Sequence, residues 1–328
     1  MSDTTDCVGV IVTSAGTASA ISVIKSLKSQ DEIKVCVIAV DMDYLAPGLY
    51  LADHYRIVPK FSDPKYLDQI VAITNEFDFK EWVLLPIYSK EIESLAEKSE
   101  FLLTKGIKTF LPAPNIIKLC NDKFRMNDFI LGLGLKTPRT YTREEIASLS
   151  QAELPLFVKP NTGSSSIGTK RIDTIEELQL LKVLNEDMIV QECIEGEEIT
   201  IDVFCNANFE AIVISPRHRM ATKSGQMIKG RTIDATLFTN AVEVICKNLP
   251  YKGACNIQFF KRNDEIVFLE MNPRFAAGGL MLTVKAGANI PLILVKNALS
   301  IEVESNECKV KPNILMTRYW EEIFIDEN

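Results

Sequence analysis

Short, unbroken apolar runs separated by amphipathic segments fill the first third of the chain, and few folds accommodate that pattern. Val8–Thr13, Lys34–Val40 and Trp82–Leu85 are strand-length, and between them Ala18–Leu27 and Tyr66–Phe77 carry apolar residues at helical spacing. Strands that are apolar throughout, rather than at alternate positions, are buried on both faces, as in a parallel sheet covered by helices. Residues 1–112 are therefore expected to form a small doubly wound α/β domain. Its first turn, Ser14–Ala18, holds one glycine where a dinucleotide fingerprint needs three. Asp41 closes the second strand where such a domain keeps its ribose carboxylate, but a scaffold is the preferred reading over a dinucleotide site.

The remainder is mixed. Leu111-Pro112-Ala113-Pro114-Asn115 punctuates the chain and marks the expected boundary between 1–112 and 113–328. A helix follows over Lys123–Leu131. Strands are expected at Leu156–Lys159, Thr169–Ile172, Met188–Gln191, Glu198–Phe204, Ala211–Ser215, 253–261 and 265–271, with helices at Thr174–Leu184 and Ala235–Asn248. The cationic stretch from Pro216 to Gly225 reads as a loop.

Composition narrows the function. Of 328 residues 47% are hydrophobic, which is globular, and 36 Lys+Arg against 44 Asp+Glu leave a net charge of −8. That balance argues against a nucleic-acid or anionic-membrane surface while leaving room for a local anion pocket. No run approaches the ~20 apolar residues of a membrane helix, and Met1–Asp6 lacks the cationic start of a secretory signal. Eight cysteines without a C-x-x-C pair fit reduced thiols of a cytoplasmic protein rather than zinc or disulfides. Two histidines are too few for a histidine-rich metal site.

Three stretches carry chemistry. Gly163-Ser-Ser-Ser-Ile-Gly168-Thr169-Lys170 approaches the phosphate loop G-x-x-x-x-G-K-[ST], but its lysine falls one place late and a strand follows instead of a helix. The segment is expected to join two antiparallel strands, its small residues letting backbone amides approach phosphate oxygens, with hydroxyls from Ser164, Ser165 and Ser166. Lys159, ending the apolar strand just before it, would set an ammonium beside such phosphates. Next, Glu270-Met271-Asn272-Pro273-Arg274 closes an apolar strand, and positions two apart share a face, so Glu270 and Asn272 can offer oxygens to one hard cation such as Mg²⁺. Gln258 joins them only if it pairs opposite Glu270, which demands an odd turn or a bulge around Asn263–Glu265. Finally, Gln191–Glu198 is an acidic stretch between two strands, readable as a solvated loop or as a hinge beside a nucleotide base.

Taken in order, Lys123, Lys159-Pro160, Gly163–Gly168, Gln191-Glu192-x-Ile194-x-Gly196-x-Glu198, Gln258 and Glu270-x-Asn272-x-Arg274 resemble the ATP-grasp superfamily, and within it the carbamoyl phosphate synthase large chain. The resemblance spans nearly the whole chain, with residues 8–112 similar to the preATP-grasp domain. It implies an ATP-grasp fold of two α+β subdomains clamping ATP, a lid at about 124–190 and a C-terminal part at about 191–328. It further implies that Lys123 and Lys159 contact ATP phosphates, and that Ser164, Ser165, Ser166 and Gly168 belong to a lid over them. Gln191, Glu192, Cys193 and Ile194 would meet adenine, and Glu198 the ribose. Gln258, Glu270 and Asn272 would hold one or two Mg²⁺, or Mn²⁺ in its place, while Arg274 stabilises the transferring phosphoryl group.

The chemistry so implied is phosphorylation of a small-molecule carboxylate followed by attack of an amine, with Lys159 and Arg274 catalytic. Such transfer needs charge and positioning, not a protein nucleophile. Arg219 and Arg231 are candidates for a substrate carboxylate, and Gly278 and Gly279 for a helix start that binds one, against readings as surface arginines and close packing. Only one synthetase unit is present, so a free-standing ligase is expected, with the apolar strands of the first domain available as a homodimer face. The alternatives are a bicarbonate-phosphorylating, carbamoyl-phosphate-forming unit, a regulatory nucleotide-binding protein without catalysis and, more distantly, a nicotinamide dehydrogenase.

Overall fold

A computed structural model describes residues 7–163, 168–181, 187–223 and 225–326. The first strands are β1 (Val8–Val12), β2 (Val35–Asp41), β3 (His54–Ile57), β4 (Glu81–Leu85) and β5 (Ile107–Lys108). All pair in parallel in the order β3-β2-β1-β4-β5. Helices α1 (Ala18–Lys28), α2 (Tyr66–Thr74), α3 (Ser89–Ala96) and α4 (Ser99–Thr104) connect them. Successive residues of β1 enter different cores: Val10 and Val12 pack with α1, and Ile11 with Tyr66, Ile70 and Leu102 on the opposite side. That two-sided burial is why the strands are apolar without alternation. At the turn after β1, Asp41 accepts the Gly16 and Asp43 amides at 2.8 and 3.0 Å, so its carboxylate ties the loops together.

The proline-rich junction opens directly into a helix the sequence reading did not resolve. Pro114 starts α5 (Pro114–Asn121), and Asp122 both ends it and caps α6 (Lys123–Gly132) by accepting the Arg125 amide. A four-stranded sheet follows, made of β6 (Thr140–Tyr141), β7 (Leu156–Pro160), β8 (Lys170–Ile172) and β9 (Met188–Glu192) in the order β6-β9-β7-β8, with α7 (Arg143–Ser148) and α8 (Ile175–Leu181) beside it. The Gly163–Lys170 segment does connect antiparallel strands, β7 and β8, and Thr174 caps the next helix through the Glu177 amide. Ser164, Ser165 and Ser166 lie outside the described residues.

The third sheet contains β10 (Glu197–Cys205), β11 (Ala211–Lys223), β12 (Gln226–Thr232), β13 (Gly253–Arg262), β14 (Glu265–Asn272) and β15 (Leu315–Thr317), ordered β14-β13-β10-β11-β12-β15. Helix α9 (Thr236–Asn248) covers one face, while α10 (Leu280–Ala286) and α11 (Ile290–Ala298) lie on the other. Pro216–Lys223 is not a loop but the second half of β11, hydrogen-bonded to β10 and β12. Its alternate positions carry Arg217 and Arg219 rather than apolar residues, so the strand lacks the usual hydrophobic period.

The two faces of this sheet differ sharply. Ile199, Ile201, Val203, Ile257 and Phe259 bury themselves against α9, α5 and α6. The other face carries Glu198, Thr200 and Asp202 from β10, aligned across the ladders with Gln258, Asn256, Arg217 and Ser215. Asp202 is 2.6 Å from the Arg217 guanidinium, both side chains being 3% exposed or less. Its Oδ2 also accepts the Thr283 hydroxyl of α10 at 2.7 Å. Below them Phe204 joins a core that includes α1, α10, α11 and Phe110, fusing the first sheet to the third.

A buried ion pair of this kind is costly to break one-sidedly, because the survivor keeps a charge without water or partner. Asp202→Ala is expected to lower unfolding stability by about 3–5 kcal/mol, measured as a reduced urea midpoint at unchanged slope, whereas Glu210→Ala, in the exposed turn after β10, stays within about 0.5 kcal/mol of the parent.

Candidate functional site

The four-stranded and six-stranded sheets face each other across a cavity of about 630 Å³, a size suited to a nucleotide-sized ligand. Its lining contains Lys123, Lys159, Arg171, Arg219 and Arg274 against the carboxylates Glu192, Glu198 and Glu270. The cavity therefore favours anions although the chain as a whole is acidic.

One end is built by β7, α6 and β14. Lys159 projects from the end of β7 and is 8% exposed. Burial depresses its pKa to about 8, with repulsion from Lys123 adding to the effect and Glu270 opposing it. Lys123, the first residue of α6, donates to the Asn161 and Gly163 carbonyls at 3.3 and 2.9 Å. Burial lowers its pKa as well, against the attraction of Glu270 and Asp122. Asn161 completes the joint by accepting the Phe124 amide at 2.9 Å and donating to Asp122. Lys123 thus fixes the start of the Gly/Ser segment, whose Gly168 takes a φ of 76° that glycine tolerates.

Glu270 stands opposite Gln258 in the β13–β14 ladder, and both line the cavity. The turn at Asn263-Asp264 is a plain two-residue one between Arg262 and Glu265, so by itself it would put the two side chains on opposite faces. A bulge at Leu269 restores the parity, further along the strand than the position expected around Asn263–Glu265. Asn272 lies one step deeper, its Nδ2 donating to Glu270 Oε1 at 2.9 Å and to Asn256 Oδ1 at 3.3 Å. Arg274 follows Pro273. It donates through Nη2 to Asn272 at 3.4 Å, through Nη1 to the Phe275 carbonyl at 3.1 Å and through Nε to Ser89 at 3.1 Å. Burial pushes the guanidinium pKa down while Glu270 pulls it up. Ser89 is the first residue of α3, so the N-terminal domain touches this end of the cavity directly.

Carbonyl and carboxylate oxygens of Gln258, Glu270 and Asn272 suit a hard cation. Among the described residues no three His, Cys, Asp or Glu side chains cluster closely enough to hold a metal by themselves. An ion here would need oxygens from a bound ligand, the usual arrangement for Mg²⁺ with phosphates.

At the other end, Gln191, Glu192, Cys193 and Ile194 run along β9 and out of it, all lining the cavity. The Gln191 amide is directed to Thr140 at 2.8 Å. The Glu192 and Cys193 amides are taken by the Arg139 and Pro155 carbonyls, whereas the Ile194 amide has no hydrogen-bond partner among the described residues. Glu198 is bonded to Arg219 across β10 and β11.

Not every candidate arrives. Arg231 pairs with His218, the residue between Arg217 and Arg219, so it leaves the sheet on the face away from the cavity. Gly278 and Gly279 do not line the cavity, whereas Ala277 does. A Cβ on Gly279 would lie 2.0 Å from Arg217 Nε and one on Gly278 2.5 Å from the Met227 amide, so close packing accounts for both. Conversely, Arg171 in the cavity wall and the Thr200–Asp202–Arg217 row are not among the residues expected from the sequence. Counting by two from Glu198 along β10 reaches Thr200 and Asp202, a signal present in the sequence. Arg217 was hidden by the misread strand.

Comparison with known proteins agrees with this architecture. Residues 185–321 match the family described as ATP-grasp in the biosynthetic pathway with Ter operon, and residues 10–110 match the PylC-like N-terminal domain. The chain is 26% identical over 213 residues to the carbamoyl phosphate synthase arginine-specific large chain of Bacillus subtilis, covering 60% of this chain and 20% of that one. It is 25% identical over 245 residues to the 3-methyl-D-ornithine–L-lysine ligase of Methanosarcina mazei, covering 73% and 59%. It thus spans less than two thirds of either relative. The biotin carboxylase domain dimer of the Hydrogenobacter thermophilus 2-oxoglutarate carboxylase, crystallised with MgADP and bicarbonate, superposes with a TM-score of 0.71 at 18% identity, over 94% of this chain and 73% of that one. Among the described residues no helix is long and apolar enough to cross a membrane. The chain thus carries a PylC-like N-terminal domain followed by an ATP-grasp domain, with homologues among carbamoyl phosphate synthase large chains and ATP-grasp ligases.

Proposed function

We propose that this protein is a Mg²⁺-ATP-dependent ligase that phosphorylates a small-molecule carboxylate and couples the resulting acyl phosphate to an amine. The observation that carries the reading is the convergence of Lys123, Lys159 and Arg274 on Glu270 at one end of a single cavity. Three enclosed cations around one carboxylate are poorly compensated at rest, and a metal-bound triphosphate supplies the missing negative charge.

In this reading residues 1–112 form the preATP-grasp domain and 113–328 the ATP-grasp domain. Adenine lies against Gln191–Ile194, where the Ile194 amide is open to its edge, and Glu198 takes the ribose. Lys123 and Lys159 hold the phosphates, with Gly168 above them. Gln258, Glu270 and Asn272 hold Mg²⁺, for which Mn²⁺ can stand in because it accepts the same oxygen donors. When bound, the metal shields charge on the transferring group. Arg274, oriented by Ser89 and Asn272, faces the γ-phosphoryl group and the acyl phosphate it forms. Nothing in this scheme needs a protein nucleophile, only charge, alignment and exclusion of water.

The likeness to a carbamoyl phosphate synthase large chain supports a second reading, in which bicarbonate is the acid phosphorylated. One experiment separates the two. Phosphate release from Mg²⁺-ATP is measured against amino acids, other carboxylic acids and bicarbonate, singly and with amines. Release requiring a particular acid and amine is expected; stimulation by bicarbonate alone favours the second reading, and failure to bind Mg²⁺-ATP defeats both. Glu270→Ala should lower turnover by about two to three orders of magnitude without changing the thermal midpoint by more than a few degrees.

Lys159 gives a further check. Its ammonium is present below a pKa of about 8 and is lost above it, so Mg²⁺-ATP affinity should fall from about pH 7 to about pH 9.5, approaching tenfold per pH unit at the alkaline end. Calorimetric titration of Lys159→Arg, which keeps its charge, should show a flat profile over that range. A sloping profile in both proteins would remove Lys159 from the phosphate site.

A further inference from the structure

Glu198 and Arg219 meet at the cavity wall. Their side chains are 34% and 14% exposed, and Arg219 is the one hydrogen-bond partner of the Glu198 carboxylate among the described residues. Arg219 has a second anchor, the Gly225 carbonyl, which accepts from Nη2 at 3.0 Å. Gly225 sits at φ 74° in the turn between β11 and β12, which fixes the direction of that carbonyl. Breaking the bond to Glu198 would therefore leave the guanidinium tethered rather than adrift.

The same pair also lies far from the reacting end. Arg219 belongs to β11 and Glu270 to β14, three strands apart in the order β14-β13-β10-β11, or about 14 Å at the usual spacing of neighbouring strands. The group that meets Arg219 most directly is whatever binds Glu198, its ion-pair partner.

We propose that Arg219 competes with the ribose of the nucleotide for Glu198, acting as a brake on nucleotide binding that the two ribose hydroxyls must displace. The inference rests on the assignment of the cavity to ATP. A vicinal diol donates two hydrogen bonds and engages both carboxylate oxygens, including the Oε1 that now accepts from Arg219. Occupation by the nucleotide then leaves an uncompensated cation in the cavity, present only in the nucleotide-bound state. Arg219 is thereby a positioning residue that discriminates among nucleotides by their sugar.

The test compares ATP with 2′,3′-dideoxy-ATP, each with Mg²⁺, by calorimetric titration of the full chain. The ratio of the two dissociation constants isolates the ribose hydroxyls, because loss of the Arg219 charge affects both nucleotides alike. In the parent protein the hydroxyls replace an ion pair and the preference for ATP should be small. Arg219→Gln should enlarge that preference by about two- to fivefold, the size of one partly exposed ion pair. Glu198→Gln should reduce it to near unity, with or without Arg219→Gln. A preference unchanged or diminished in Arg219→Gln would overturn the proposal while leaving the ATP assignment standing. Absence of Mg²⁺-ATP binding to the parent would instead overturn the ATP assignment on which it rests. Far-UV circular dichroism of each variant confirms that a lost signal is not lost folding.

Discussion

Strand parity in the six-stranded sheet is the constraint on which everything else rests. Side chains leave a strand alternately, so a slip of one residue exchanges the faces. In β10 a slip would drive Glu198, Thr200 and Asp202 into the core against α9 and expose Ile199, Ile201 and Val203. The cost of burying those polar groups without partners fixes the register more firmly than backbone hydrogen bonds alone. The Asp202–Arg217 pair and the Thr283 hydroxyl then lock the polar face to α10. At the neighbouring ladder the bulge at Leu269 performs the complementary task, letting an even-length hairpin present Gln258 and Glu270 on the same side.

The cavity that results is electrostatically unfinished. Burial lowers the pKa of Lys159, Lys123 and Arg274, and in each case Glu270 opposes the shift. Glu270 is shared by all three cations, with Asp122 adding its attraction for Lys123 alone, and such an arrangement is less stable than a neutral one of the same shape. The remaining structure supports it elsewhere. A shared apolar core binds α1 of the first domain to α10 and α11, and the Lys296 ammonium, between Glu32 and Glu307, adds an ion triad across the same junction. Because Ser89 holds Arg274 from the first domain, that junction sets the orientation of the guanidinium as well as the packing. The N-terminal domain is in this sense part of the proposed phosphoryl-transfer site.

What could be read from the sequence, and what could not, follows from how each residue announces its environment. The parallel sheet was legible because burial on both faces removes alternation, and Val8–Val12 and Val35–Val40 show it. The condition linking Gln258 to Glu270 was legible as parity, although the place of the bulge was not, since a bulge at Leu269 leaves no mark in residue type. Polar strands were the blind spot. Pro216–Lys223 has the composition of a loop, and only the ladders to β10 and β12 make it a strand. That single misreading concealed Arg217, and it placed Arg219 and Arg231 together when the register sends them to opposite faces. Gly278 and Gly279 illustrate a different limit: a glycine that opens a binding surface and one that makes room for Arg217 look identical in sequence, and the backbone approach alone separates them.

The two ends of the cavity are carried by different sheets, and this has a mechanical consequence. Gln191, Glu192 and Lys159 belong to the four-stranded sheet, with Cys193 and Ile194 directly after it, whereas Glu198, Gln258 and Glu270 belong to the six-stranded one. A ligand reaching from Gln191–Ile194 to Glu270 would therefore bond both sheets at once and oppose their separation. Lys123 is placed to register such a movement, because α6 packs with the core of the six-stranded sheet while its ammonium holds the carbonyls that follow β7. The lysine's attraction to a bound phosphate would compete with those carbonyls for the same three N–H groups. In the proposed reading, phosphate occupancy would thus be coupled through one side chain to the Asn161 and Gly163 carbonyls that follow β7.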